Sequence, residues 1–357
     1  MAKHQAAERY PARDRAAVRT VALATIGLTL LVIAMIASYS GAFAKPTLHH
    51  MTVAIAGPEQ LVDGIRGQDV LTVNEVGYDA AARAQVYERK TDAAFVVAPN
   101  GEMKIYVAGG GGHSVAAAAE TVGRSIAAKA GLRPDVEDVA PASAGDPSGT
   151  VEFYAIIFIS IGASVGATVF VRVMGTVRKP LTLALRSATL AGYAALLAGA
   201  VTLYVDVILD ALTGHTGQVF AVLWLYAMAV GGVITGVAAA FGAVASMVLT
   251  AFLVVVGNAA AAGPVGRPLL SGFYSTFTAI VPQGSGVSLL RSVSYFGGNG
   301  AMTPLVTLAI WAGSGALLAF LATASRVNYR ALYERYLPGR AGRDRALLRP
   351  GVLSPAD

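Results

Sequence analysis

The chain has 357 residues, of which 55% are hydrophobic and only 13% are charged, about half the charged fraction of an ordinary soluble domain. Its net charge of +6 comes from Lys and Arg residues beside hydrophobic blocks, so nucleic acid is excluded as the expected partner. The sequence has no cysteine, which excludes disulfides and cysteine-based metal or redox chemistry. The composition predicts an integral membrane protein with one soluble insert.

The first hydrophobic segment, residues 20–44, follows a basic cytoplasmic arm at 1–19 and contains no charged side chain. It exceeds the roughly 20 residues that a helix needs to cross a bilayer. A cleaved signal peptide is the alternative. We favour an uncleaved transmembrane helix because the apolar core is longer than the core of a typical signal peptide.

Residues 45–149 are soluble in character and predict one small α+β domain outside the membrane. The stretches MTVAIAG, DVLTVNEV, DAAFVVAP and EMKIYVAG are typical of strands, and a turn at Asn100-Gly101 joins the last two. The remaining segments predict two helices and a linker: 78–90, 114–131 and 140–149. The run GGGGHS lacks the lysine of a phosphate-binding loop, so we interpret it as a strand-to-helix turn.

Five further apolar segments complete a polytopic α-helical protein with six transmembrane helices: 153–171, 187–205, 219–240, 243–262 and 303–325. Helices two to six occupy the region 150–325, and a turn at Phe241-Gly242 separates the fourth from the fifth. Lys and Arg cluster in the N-terminal arm, between helices two and three, and in the basic tail at 326–357. The positive-inside rule therefore predicts that both termini are cytoplasmic.

The segment between helices two and three is a candidate contact surface for a cytoplasmic partner. Four cations define it: Arg172, Arg178, Lys179 and Arg186. The sequence LTLALRS after Pro180 predicts a short amphipathic helix on the inner membrane surface. Simple positive-inside charge is an alternative explanation of the same residues.

Two other patterns in the hydrophobic segments have structural and functional interpretations. Asp206 and Asp210 are four residues apart, which predicts a shared helix face near the outer end of helix three. A solvated helix end and a proton- or cation-coupling role both explain them. Small residues recur at spacings of four, as in GASVG and GVITG, and predict close helix packing within the chain or between two copies.

The segment TAIVPQGSGVSLLRSVSYFGGNG, which begins at Thr278, is too apolar for an ordinary loop and too broken for a full span. Two short helices separated at Pro282-Gln283-Gly284 explain this composition if the region 266–298 re-enters the outer leaflet, where backbone must satisfy its own hydrogen bonds. Arg291 is expected to satisfy carbonyl groups at a helix end, and an anionic head group is its alternative partner.

The longer stretch LLSGFYSTFTAIVPQGSGVSLLRSVSYFGGNG, which begins at Leu269, resembles the signature of the YhgE/Pip (phage infection protein) group, permeases of the second type of ABC exporter family. The matching positions are Phe273 or Tyr274, Pro282, Gly284, Leu290, Arg291, Tyr295, Phe296, Gly297 and Gly298. The first proline of the family is missing, because Leu270-Ser271-Gly272 stands in its place. The order of the spans and the domain after the first span resemble the family more weakly.

The resemblance implies a permease of a bacterial plasma membrane that works as a homodimer or heterodimer with a cytoplasmic ABC ATPase subunit. The chain has no Walker A motif and no catalytic pattern, so we expect no enzyme, no cofactor and no metal site. The expected function is outward movement of a lipid-like, peptide or drug-like substrate, with the segment from Arg172 to Arg186 facing the ATPase. The alternative is a non-transporting receptor or envelope scaffold whose outer domain binds a partner.

Overall fold

The computed structural model describes residues 12–175, 179–212 and 214–326, with side chains from residue 16 onward. This part of the chain is mostly helical. The α-helices are α1 (Ala12–Phe43), α2 (Glu59–Arg66), α3 (Asp79–Tyr87), α4 (His113–Lys129), α5 (Val151–Met174), α6 (Pro180–Thr202), α7 (Thr216–Phe241), α8 (Ala243–Phe252), α9 (Gly272–Thr278), α10 (Pro282–Tyr295) and α11 (Met302–Ala324). The strands are β1 (Met51–Ala56), β2 (Leu71–Glu75), β3 (Ala93–Val97), β4 (Glu102–Val107) and β5 (Arg133–Asp138).

Five helices in the described residues are long and apolar enough to cross a membrane, namely α1, α5, α6, α7 and α11. The predicted fifth span at 243–262 is a shorter apolar helix, Ala243–Gly257. It continues α8 through a π-helical turn, Leu253–Gly257, and the chain then turns at Ala262, where φ is 55°. The helix Ala243–Gly257 is about 22 Å long at 1.5 Å per residue, whereas the hydrocarbon core of a bilayer is roughly 30 Å thick.

Helix α7 is the centre of the helical bundle and packs against α5, α6, α10 and α11. A Cβ atom on Gly236 would lie 2.3 Å from the carbonyl oxygen of Gly315, so the backbones of α7 and α11 are in direct contact. On α5, Gly166 accommodates the ring of Tyr193, whose hydroxyl donates to the carbonyl oxygen of Gly162 at 2.9 Å. Both small-residue patterns therefore serve packing within the chain.

Helix α6 differs from its prediction at both ends. It begins at Pro180 and continues unbroken, so the segment predicted as a separate amphipathic helix forms its first two turns. At its other end the chain enters a wider π-helical turn, Leu203–Ile208. Asp206 is buried in this turn, whereas Asp210 is exposed beyond it with a φ of 54°. Because regular α-helical spacing ends before Asp210, the two carboxylates do not share the predicted helix face.

Residues 51–138 form one five-stranded sheet in the order β2-β1-β3-β4-β5. Only the β3–β4 pair is antiparallel, and its turn contains Gly101 with a φ of 77°. The sequence patterns did not predict α2 or β5. Helix α2 has only eight residues, and β5 is an edge strand with the sequence RPDVED, whose charges and proline suit an edge and conceal its strand character.

The two faces of the sheet bury two separate hydrophobic clusters. Helices α2 and α4 cover one face, and the residues after α8 complete that cluster: Ala259, Ala262, Val265, Leu269 and Leu270. Helix α3 covers the other face, where Phe296 from the end of α10 joins the cluster. The sheet is therefore attached to the membrane helices by apolar packing on both of its faces.

Candidate functional site

The segment that resembles the permease signature forms α9 and α10, separated at residues 279–281. Pro282 is the first residue of α10, a position where its missing N–H removes no helical hydrogen bond. The break therefore lies before Pro282 and not at the predicted Pro282-Gln283-Gly284. Gly284 is helical and permits a close approach instead, since a Cβ atom there would lie 2.1 Å from the carbonyl oxygen of Thr278.

Arg291 is buried on α10 and holds the ends of two other segments. Its Nη1 donates to the carbonyl oxygen of Ala262 at 3.2 Å, and its Nη2 donates to the carbonyl oxygens of Gly149 and Gly263 at 3.2 and 3.1 Å. A charged donor is well suited to carbonyl groups that regular secondary structure leaves unpaired. Arg291 therefore joins the end of the domain linker to the turn that follows α8.

The residues after Arg291 bind α10 to the sheet domain. Tyr295 lies against the glycine run of the domain, where a Cβ atom on Gly110 would be 2.5 Å from the tyrosine Cγ. Phe296 is buried under the sheet. Gly297 and Gly298 have φ angles of 58° and 88°, which turn the chain toward α11. The matching residues Pro282, Gly284, Arg291, Tyr295, Phe296, Gly297 and Gly298 thus lie together at the junction between domain and helices.

Arg89 reaches α10 from the opposite side of this junction, just after α3. Its Nη1 donates to the carbonyl oxygen of Ser288 at 2.8 Å and to Oγ of Ser292 at 2.5 Å. Its guanidinium lies over the ring of Phe296, 5.0 Å from the centroid, which is a cation–π distance. Burial, and then repulsion by Arg291, lower the pKa of Arg89 to about 10, so its side chain stays protonated at neutral pH.

These contacts border a cavity of about 390 Å³ between the sheet domain and α9, α10 and α11, a volume within the usual range for ligand sites. Its charged lining residues are Arg89, Asp92, Arg267 and Arg291. Three cations and one carboxylate leave a net charge of +2 when all four are ionised. Hydroxyl groups add polar surface: Thr91, Thr278, Ser285, Ser288, Thr303 and Thr307.

The protein supplies more hydrogen-bond partners to the side chain of Asp92 than to the side chain of Arg267. The carboxylate of Asp92 accepts hydrogen bonds from the backbone N–H and the hydroxyl of Thr52, at 2.8 and 2.7 Å. Burial raises the pKa of Asp92, although those bonds and the nearby arginines oppose the change. Arg267 makes one side-chain hydrogen bond within the described ranges, from Nε to the carbonyl oxygen of Ser275 at 3.3 Å, so its two Nη groups remain able to donate.

The cations of the candidate contact surface, which lie at the end of α5, at the start of α6 and between them, do not form one exposed surface. Arg172 and Lys179 are exposed, whereas Arg178 lies outside the described residues. Arg186 is only 3% exposed, and its Nη2 donates to the carbonyl oxygens at the end of α5: Phe170, Val171 and Gly175. Because this arginine caps a helix end, it is not available to a docking partner, contrary to the prediction.

Three charged residues of the cavity were absent from the sequence predictions: Arg89, Asp92 and Arg267. Arg89 and its partner Ser288 are 199 positions apart in the chain, and no local pattern indicates such a contact. The only sequence signal is that these residues are charged in a chain where few residues are.

The fold and this junction define a class of protein: a helical membrane protein whose inserted α+β domain and apolar helices together line a positively charged cavity. Comparisons of the chain with family models, with curated proteins and with solved structures found no match.

Proposed function

We propose that the chain is the permease subunit of an ABC-type exporter. It would move a lipid-like, peptide or drug-like substrate outward with a separate cytoplasmic ATPase subunit. The observation that carries this proposal is the cavity of about 390 Å³ that the sheet domain and the helical bundle share. A cavity between an inserted domain and membrane helices is a suitable place for a substrate that leaves the bilayer.

The resemblance of residues 269–300 to the YhgE/Pip signature supports the same class. Several residues that match that signature are packing and hydrogen-bonding residues at the junction. Arg291 binds three carbonyl oxygens, and Phe296 completes a core of the domain. In this proposal the signature holds the outer domain rigidly over the exit of the transport path.

The proposed topology has six crossings, with α8 and its π-helical continuation as a short fifth crossing. Both termini are cytoplasmic, and the sheet domain lies outside a bacterial plasma membrane. The distribution of Lys and Arg supports this orientation. A reporter fused at residue 10, 180 or 340 would be cytoplasmic, and a reporter at residue 100 or 285 would be external. An internal reporter at residue 100 would reject the topology.

The proposed assembly is a pair of permease subunits, identical or not, with an ATPase bound near Arg172 and Lys179. Both side chains are exposed beside the short connection between α5 and α6. Their charge and position support a contact with a cytoplasmic partner as well as a role in orientation.

The test is copurification of the full-length chain from its host membrane, followed by an ATP hydrolysis measurement. We expect a Walker A protein to copurify and to hydrolyse ATP, and the double variant Arg172→Glu/Lys179→Glu to lose it. Lys90→Glu, an exposed charge in the sheet domain, is the matched control and should retain the ATPase. Reporter fusions establish beforehand that both variants keep the wild-type orientation. An intact wild-type chain without any ATPase would favour the receptor or scaffold function.

A further inference from the structure

The cavity lies where the sheet domain meets the ends of the membrane helices. Helix α11 begins at Met302, and its first two turns contribute Thr303 and Thr307 to the lining. The opposite wall comes from the domain, with Thr91 and Asp92 at the start of β3. Because α11 is long and apolar enough to cross a membrane, we expect a cavity beside its first two turns to lie at the depth of lipid head groups.

The lining has more positive charge than the protein neutralises. Among the ion pairs of the described residues, none includes Arg89, Arg267 or Arg291. The carboxylate of Asp92 is already bound to Thr52. Arg291 is buried and Arg89 is half-buried, and the two repel each other, which favours an anion between them and the solvent. Arg267 presents two free Nη groups, a geometry that matches the oxygens of a phosphate group.

Buried polar atoms of the lining also lack partners. Nε of Arg291 and Oγ1 of Thr91 are buried without a hydrogen-bond partner in the described part of the chain. Their residues are only 4% and 6% exposed. Unpaired buried donors are costly, and native proteins commonly satisfy them with water or a ligand. These two atoms have almost no accessible surface, so they add to the positive and polar character of the cavity wall and are not themselves the contacts of a ligand.

The apolar surroundings distinguish an amphiphile from a free ion. Part of the lining is apolar, including Val115, Val287 and Phe296. Beyond it, Ile280 and Met302 are large hydrophobic residues that are 53% and 71% exposed on the elements that border the cavity. A ligand whose polar end enters the cavity and whose apolar end follows these side chains would contact both kinds of surface.

We infer that this cavity binds the phosphate-bearing head group of an anionic amphiphile, with Arg267 donating directly to the phosphate oxygens. Arg89 and Arg291 hold the cavity positive while they anchor α10. That the bound amphiphile is the exported substrate rests on the proposed function, whereas the binding itself does not. The binding site and the transport role can therefore be tested separately.

The experiment measures lipid adducts on the full-length protein in neutral detergent by native mass spectrometry. The probes are dioctanoyl phosphatidylglycerol, dioctanoyl phosphatidylcholine and inorganic phosphate. We expect saturable binding of phosphatidylglycerol, weaker binding of phosphatidylcholine, and little competition by equimolar inorganic phosphate. Arg267→Gln should weaken phosphatidylglycerol binding by about tenfold, the loss of one charge-assisted contact. Arg124→Gln removes an exposed arginine of α4 and should change nothing.

Each contrary result has a defined meaning. Equal binding of the two lipids, or equal affinity in Arg267→Gln and Arg124→Gln, would overturn the inference. If inorganic phosphate competes with an affinity equal to that of the lipid, the cavity binds soluble anions, and the inference that its ligand is an amphiphile is rejected. If Arg267→Gln loses its fold, Arg267→Met keeps a long side chain without the charged donor, and unchanged lipid binding there would reject direct phosphate contact by Arg267. Selective lipid binding by a chain that recruits no ATPase would reject only the proposed function.

Discussion

The guanidinium of Arg89 donates a hydrogen bond to the carbonyl oxygen of Ser288 at 2.8 Å, although 199 positions separate the two residues. Arg89 follows the last turn of α3 in the sheet domain, and Ser288 lies in the middle of α10. Arg89 has a φ of 59°, a conformation that few residues other than glycine adopt. Arg89 also donates from Nη1 to Oγ of Ser292 and from Nη2 to Oγ of Ser288, at 2.5 and 3.2 Å. A strained backbone held by three charge-assisted hydrogen bonds indicates that the domain is fixed to α10 at this point.

Replacing Arg89 should therefore loosen the domain from the helices. We expect Arg89→Gln to lower stability by about 1.5–3 kcal/mol, the usual contribution of a hydrogen bond to a charged group, and to increase hydrogen exchange in α10. Arg83→Gln on the same α3 is the matched control. Its ion pair with Glu137 has both side chains 48% exposed, so its loss should cost less than about 1 kcal/mol. Equal exchange in both variants would contradict the proposed attachment.

The break between α9 and α10 makes opposite predictions for two neighbouring residues. Gly284→Ala would place a Cβ atom 2.1 Å from the carbonyl oxygen of Thr278, and overpacking of this kind costs about 1–3 kcal/mol. Pro282→Ala keeps a suitable first helical residue and should cost under about 1 kcal/mol. Thermal unfolding of the purified variants tests the order. A larger loss for Pro282→Ala would indicate that the proline itself maintains the break.

Arg186 and Lys179 are separated by seven positions but have different roles. Arg186→Gln removes a buried donor from three carbonyl oxygens at the end of α5, and we expect a loss of about 2 kcal/mol or more. Lys179→Gln changes an exposed side chain and should stay within about 0.5 kcal/mol. Melting temperatures measured in one detergent provide the comparison. If Arg186→Gln is as stable as the wild type, Arg186 does not cap α5 and again belongs to the candidate contact surface.

Asp92 makes stability depend on pH. Because burial raises the pKa of Asp92, the folded state keeps this proton to a higher pH than the unfolded chain, where aspartate titrates near about 3.9. The folded state then binds more protons above that value, so the contribution of Asp92 to stability falls as pH rises through the window between the two pKa values.

Asp92→Asn removes this titration and keeps an amide oxygen that can accept from Thr52. We expect the melting temperature of the variant to rise relative to that of the wild type between about pH 4 and pH 7. Only the wild type must ionise a buried carboxylate in this range, and that ionisation destabilises its folded state. Thermal melts at several pH values measure this difference. A difference that does not change with pH would show that burial does not govern this carboxylate. Arg89, with a pKa of about 10, titrates outside the range.

Local patterns were sufficient for the elements that bury one regular face. The alternating and apolar strands β1, β3 and β4 were predicted, as was α4, because hydrophobic periodicity determines such elements. Helix α2 and strand β5 were missed because one is a single short amphipathic segment and the other is polar. The fifth hydrophobic segment had span-like composition, but composition does not reveal the π-helical turn at Leu253–Gly257 that precedes its early end.

The cavity could not be predicted from local patterns because its walls come from distant parts of the chain. Arg291 stood out in the sequence as a lone charge in an apolar segment, and its partners are carbonyl oxygens, which carry no sequence signal. Arg186 looked like its basic neighbours, although its side chain turns inward. In each case the tertiary contact, and not the residue type, decides whether an arginine is a cap, an anchor or a binding group.

The shared cores of the sheet domain have a consequence for biosynthesis. The last strand ends at Asp138, but the side chains that cover the two faces of the sheet include residues from Ala259 to Phe296. At roughly 5–20 residues per second, a ribosome needs on the order of 10 s to add that length. During this interval the domain exposes apolar surface on both faces while the intervening helices enter the membrane. Completion of the domain therefore waits for α10, and truncation before α10 should leave a domain that is prone to aggregation and proteolysis.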